Sequence, residues 1–160
     1  MSSLARSATV LALIFAAQTR VAAQGVPNLT GTWTLAADKS DFGPMPAPTS
    51  RTDVIDHREP AITIKRTILN SGSAAAASFD LKYAVDGKPH TNTTPQGEVT
   101  STLKWDGAVL VITSQVPTPA GTAEVTDRLS LSADGKTLTF DRTILVQGQE
   151  LKQNVVMVKP

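Results

Sequence analysis

Several residues able to grip a polar ligand recur in this chain at strand-like spacing, each embedded among Val, Ile, Leu and Phe. Asp53 and Arg66 flank the Glu59-Pro60 turn, and Asp127 and Arg142 flank Asp134-Gly135. Tyr83, His90 and Asn92 gather around Asp86-Gly87, and Gln153 sits beside Val155 and Met157. The forked donors of Arg66 and Arg142 suit an acidic head group, though the Asp partner of each makes a neutral polar head equally admissible; Tyr83 and His90 suit its orientation by hydrogen bonds, and an aliphatic wall suits an apolar tail. Proton-transfer chemistry is less favoured. Asp53 and Asp127 each have an arginine partner that would hold the carboxylate ionised, which suits a general acid poorly.

Other chemistries are missing from the pattern. The two histidines, His57 and His90, fall on strand-like runs without helical spacing or cysteine neighbours, so no metal site is expected. No Gly-x-Ser-x-Gly elbow and no phosphate loop occurs, and no cofactor is implied.

These residues need strands to position them. Ten runs rich in Val, Ile, Thr and Leu are separated by Gly, Pro, Asn and Asp, at 29–35, 50–58, 61–69, 77–85, 88–94, 98–105, 108–116, 122–131, 137–146 and 150–159. No segment after residue 23 carries a helical apolar stripe. Short loops favour an antiparallel up-and-down meander, and closing it into an all-β barrel of eight to ten strands removes exposed edges. A two-sheet β-sandwich is the alternative.

Turn chemistry fixes the expected register. Around Asp134-Gly135, pairing Leu129 with Phe140 and Val125 with Ile144 keeps apolar opposite apolar, whereas a one-residue slip destroys the match. That register faces Asp127 and Arg142 inward, and pairs Arg128 with Asp141 on the outer face. Around Glu59-Pro60 it opposes Asp53 to Arg66. Around Asp86-Gly87 it opposes Leu81 to Asn92 and Tyr83 to His90, and around Gly148 it turns Gln153 inward. Paired charges on an inward face are tolerable around a solvated cavity and costly in a dry core, so a cavity is expected.

The first 23 residues read as an export leader: Arg6, an apolar run from Ala8 to Ala17, and Val21-Ala22-Ala23 ahead of cleavage. Residues 24–160 then form one domain, expected to be secreted or periplasmic. The apolar run is shorter than the roughly 20 residues that span a bilayer, so no stable membrane insertion of the mature chain is expected. Cleavage removes Arg6 and Arg20, leaving 13 basic residues against 14 acidic ones, too balanced for nucleic acid. There is no cysteine, so core burial must hold the fold, and a bacterial source is favoured. The sequence leaves the oligomeric state open.

Gly31-Thr32-Trp33 on the first strand of an exported, helix-poor barrel resembles the calycin superfamily of lipocalins, fatty-acid-binding proteins and avidins. Residues 31–50 and 131–144 are similar to segments of uncharacterised secreted bacterial lipocalin-like proteins. The resemblance implies that Trp33 closes one barrel end beneath an arginine, with Arg142 the best match and Arg128 second. The chain departs from the superfamily in three respects. The 14-residue connection 36–49 carries Pro44, Pro46 and Pro48 where fatty-acid-binding proteins have two helices; the final strand lacks their Arg-x-Tyr; and the lipocalin disulfide is absent. Trp33 therefore reads as scaffold, and Phe42 and Met45 either pack that loop or form a lid over the open end.

The favoured function is an exported carrier of a small apolar or amphipathic molecule, with Arg66, Tyr83, His90, Asn92, Asp127, Arg142 and Gln153 around the ligand. A packed barrel acting as an inhibitor or interaction module is the second reading. A small enzyme using Tyr83 and His90 is the third.

Overall fold

The computed structural model describes residues 25–160. The expected leader at 1–23 lies outside the described residues. Ten antiparallel strands follow in chain order: β1 (Gly31–Leu35), β2 (Ser50–Arg58), β3 (Ala61–Leu69), β4 (Ala77–Ala84), β5 (His90–Thr94), β6 (Gly97–Asp106), β7 (Val109–Thr118), β8 (Gly121–Leu131), β9 (Thr137–Val146) and β10 (Gln149–Val158). They form one sheet in the order β4-β3-β2-β1-β10-β9-β8-β7-β6-β5, curled until its edges β4 and β5 meet. The barrel, not the sandwich, is the architecture. No helix among the described residues is long and apolar enough to cross a membrane.

Period-two patterning sets each strand's faces. On β2, Arg51, Asp53, Ile55 and His57 are buried, while Val54, Asp56 and Arg58 face out. The expected registers hold across β2–β3, with Asp53 opposite Arg66, and across β8–β9, with Asp127 opposite Arg142 and Leu129 opposite Phe140. Gln153 lies opposite Arg142 across β9–β10. Arg128 does oppose Asp141, but their side chains bond elsewhere. Arg128 donates to Asp106 at 2.8 Å, and Asp141 accepts from Asn154 at 2.6 Å.

The expected pairing of β4 with β5 is replaced by a seam. The Gly87 amide donates to the Leu103 carbonyl on β6, and Pro89 has no N–H to offer a ladder, so the chain leaves β4 without forming a hairpin. The two edges are joined by one side chain. Asn92 accepts from the Lys82 amide at 2.7 Å and donates to the Lys82 carbonyl at 3.1 Å, substituting a carboxamide for the missing peptide contacts.

The two barrel ends differ. At one end Leu29, Trp33, Leu103, Leu110, Leu129, Leu138 and Met157 are almost wholly buried in a single apolar cluster. Leu29, expected on the first strand, precedes β1 and plugs this end. Its carbonyl accepts the Trp33 indole N–H at 2.9 Å, and its amide donates to His57 Nδ1 at 3.2 Å. Because His57 Nδ1 accepts, Nε2 carries the ring proton and donates to Glu59 at 2.8 Å; Glu59 also accepts the Trp105 indole N–H at 2.7 Å.

The cation over Trp33 is Lys159, with Nζ 4.8 Å from the indole centroid, in place of Arg142 or Arg128. Gly31 makes room for it. A Cβ at Gly31 would meet Lys159 Cε at 2.8 Å, and the backbone there has φ of 149°, which side chains rarely adopt. Gly31 and Trp33 thus act together: Trp33 supplies the buried ring and Gly31 the path for the lysine that covers it.

Candidate ligand site in the barrel interior

The opposite half of the barrel is hollow. A cavity of about 470 Å³ extends from the middle of the barrel to the segment 42–48 and the ends of β5 and β7 with the turns that follow them. Its apolar wall includes Ile64, Leu81, Phe79, Ile112, Phe140 and Val155. This volume falls in the range of small-molecule sites.

Its polar face starts from Asp53, which β2 turns inward and buries completely. Two guanidinium groups grip this carboxylate by both oxygens. Arg66 on β3 donates through Nε at 2.9 Å and Nη2 at 2.8 Å, and Arg51, two residues before Asp53, through Nε at 3.2 Å and Nη2 at 2.6 Å. Burial alone would raise the Asp53 carboxyl, but Arg66 and Arg51 together hold it well below the usual carboxylate range. The arginines differ. Burial lowers both, yet for Arg66 the attraction and hydrogen bonds of Asp53, with the nearby Tyr83 and Asp127, together outweigh it and hold the guanidinium above its ordinary value. For Arg51 burial and the nearby Arg66 charge prevail, bringing it down to about 10, still cationic at neutral pH. The Arg51 guanidinium also lies 4.9 Å over the Phe140 ring.

A second pair lines the same space. Arg142 donates to Asp127 through Nε at 2.7 Å and Nη2 at 3.0 Å, both side chains partly accessible from the cavity. Tyr83 lines it from β4, where burial pushes the phenol up against the opposing influence of Arg66 and Ser101, so it stays a protonated donor at neutral pH. Gln153 lines it from β10 and donates to the Phe42 carbonyl at 3.1 Å, tying the β1–β2 connection down.

Of the residues expected around a ligand, Arg66, Tyr83, Asp127, Arg142 and Gln153 share this cavity, and His90 and Asn92 do not. His90 bonds Asp86 at 2.9 Å in the β4–β5 loop, and Asn92 is spent on the seam. Tyr83 and His90 are therefore not assembled into a common site. Phe42 and Met45 both line the cavity; Phe42 packs against the core cluster, while Met45 is exposed at the rim. Arg51, Ser101 and Ser114 were missed, although strict alternation from Asp53, Leu103 and Ile112 points all three inward. Among the described residues no group of three or more His, Cys, Asp or Glu side chains could hold a metal ion.

No protein-family model matches the chain, and no curated protein does. Solved structures do. Secretory abundant heat soluble protein 4 from Ramazzottius varieornatus aligns over 86% of this chain and 99% of its own, with TM-score 0.56 and 12% identity. A second such protein from the same organism aligns over 84% and 98%, with TM-score 0.55 and 12% identity. The fatty-acid-binding protein isolated from Manduca sexta aligns over 82% and 99%, with TM-score 0.53 and 16% identity. The fold is a calycin-like barrel. At these identities the likeness concerns the fold alone, and the chain's own side chains must carry any reading of its function.

Proposed function

We propose that this chain is an exported carrier that holds one small amphipathic molecule in the barrel, with an anionic head on the arginine cluster and an apolar tail toward the mouth. One observation carries the reading: three arginines face two carboxylates around the cavity, leaving a surplus of one positive charge next to an apolar wall. Without Arg51 each arginine has its own aspartate, and a neutral ligand fits as well as an anionic one. With Arg51 the site attracts an anion. Arg51 also remains cationic although its burial is only partly offset by Asp53, a cost to stability that a ligand anion would repay. A packed interaction module has no need of such a cavity, and an enzyme using Tyr83 and His90 lacks their juxtaposition.

Calorimetric titration with hexadecanoate and with the neutral hexadecanol tests this reading. The acid is expected to bind more tightly by about 10-fold, in keeping with a charge-assisted hydrogen bond of roughly 1.5–3 kcal/mol. Arg51→Met should erase that preference at little cost to stability, whereas Arg66→Met should destabilise the fold more. Failure of both compounds to bind would remove the carrier and favour the interaction module.

A further inference from the structure

Beside and across from Arg51 and Arg66 the cavity holds a second set of polar groups that an anionic head on those two arginines does not use. In the closed sheet β7 lies five strands from β2 in either direction, so Ser114 looks across the barrel toward Arg51 and Asp53. Ser114 lines the cavity, and its hydroxyl lies 2.8 Å from that of Ser101, its cross-strand partner on β6. Tyr83, on β4 across the seam, lines the same cavity and adds a phenol to it. On the next strand, β8, Asp127 faces the same space.

The chemistry of this set differs from that of the Arg51–Asp53–Arg66 cluster. Asp127 and Arg142 neutralise each other, and each Asp127 oxygen takes one Arg142 donor, which leaves acceptor capacity on both. A carboxylate placed here would meet Asp127 with like charge and is directed to Arg51 and Arg66 instead. A carbonyl or ether oxygen would accept from Ser114 or Tyr83 but offer nothing to Asp127. A hydroxyl does both, donating to the carboxylate and accepting from the serine or the phenol.

We infer that Ser114, Tyr83 and Asp127 form a second polar subsite that reads a hydroxyl on the ligand, so that the preferred ligand class is a hydroxylated amphiphilic carboxylic acid. The inference rests on the carrier reading and refines it. Sites built to hydrogen-bond a ligand hydroxyl discriminate against the analogue lacking it, because their own polar groups are otherwise left unpaired. In a cavity open to water the penalty is moderate, on the order of 10-fold.

The test is a binding series on the full mature chain: hexadecanoate, its monohydroxylated positional isomers, and the ketone corresponding to the tightest isomer. At least one hydroxy acid should bind about 10-fold more tightly than hexadecanoate, with the ketone closer to hexadecanoate than to the alcohol. Ser114→Ala and, separately, Tyr83→Phe should each bring the hydroxy-to-plain affinity ratio down to about twofold. Using both guards against one variant being lost to misfolding, and thermal melting of each confirms that it is folded. If hexadecanoate binds and no isomer exceeds it by more than about twofold, the hydroxyl subsite is wrong and the carrier stands. If a preference exists but neither variant reduces it, the subsite is misplaced. If no acid binds, both readings fall together.

Discussion

The two ends of this barrel are built from opposite materials. The closed end is sealed by Leu29, Trp33, Trp105 and Lys159, and its turns carry charge at Glu59, Asp86, Lys88, Asp134 and Lys136. The segments around the open end, 43–49, 70–76, 95–96, 119–120 and 147–148, contain no charged residue at all. They consist largely of Pro, Ala, Ser, Gly, Thr and Gln, with Met45 exposed among them. At the closed end the Leu29 amide and carbonyl, His57, Glu59 and the two indoles bond to one another, and this pairing fixes the chain's entry into β1. At the open end the proline-rich segment is held by fewer ties, chiefly the Gln153–Phe42 bond and the Asp41–Asn154 bridge to β10. Stability is thus concentrated at one end and the opening to the cavity lies at the other, with the charged belt between them.

The largest break in this comparison should come from the closed end. Trp33→Ala removes a fully buried ring, the hydrogen bond to Leu29 and the surface on which Lys159 lies. A loss of about 3–5 kcal/mol is expected in chemical denaturation. An intact midpoint would mean that the plug is decorative and that the barrel is held elsewhere.

Next comes the belt. Asp53→Asn leaves Arg51 and Arg66 buried around a neutral amide and should cost about 3–5 kcal/mol at pH 7. The pH dependence has a definite sign. The folded Asp53 carboxyl lies below its unfolded value of 3.8, so its contribution is complete above about pH 4 and is lost as the pH falls toward the folded value. Wild-type stability should therefore drop more steeply below about pH 4 than that of Asp53→Asn. Parallel acid profiles would show that the carboxylate contributes no linkage and that the guanidinium pairs are weak.

The same contrast shows what was legible in the sequence. Strand positions and the β2–β3, β8–β9 and β9–β10 registers were readable because alternation and turn residues agree, and a one-residue slip would have opposed Phe140 to a polar residue. The belt was readable in part. Asp53 was placed inward, and the same alternation carries Arg51 inward two residues earlier, a step that changes the net charge of the site. His90 and Asn92 were misplaced because Asp86-Gly87 looks like a hairpin turn, while the closure of a barrel between two edge strands leaves no local trace. The closed end was the least readable in detail. Leu29 reaches His57 on the neighbouring β2 and Lys159, just past β10, covers Trp33 on the neighbouring β1, contacts made by residues beyond the strand ends, where no alternation specifies the partner.

The smallest effect on stability, and the one that separates the ends most sharply, belongs to the mouth. Met45 is 45% exposed yet lines the cavity, between Pro44 and Pro46 in a segment stiffened by prolines. Its side chain has little buried area to lose, so Met45→Ser should change stability by less than about 0.5 kcal/mol. A ligand tail leaving through the mouth must pass that side chain. Replacing it with a small polar one should raise the dissociation rate of bound hexadecanoate in stopped-flow exchange, with the association rate altered less. Phe42→Ser provides the contrast, because Phe42 packs against the core cluster and should lose both stability and ligand retention. If Met45→Ser lowers the denaturation midpoint as much as Phe42→Ser and leaves exchange untouched, the rim is packing, and the division between a stabilising end and an access end fails at its weakest point.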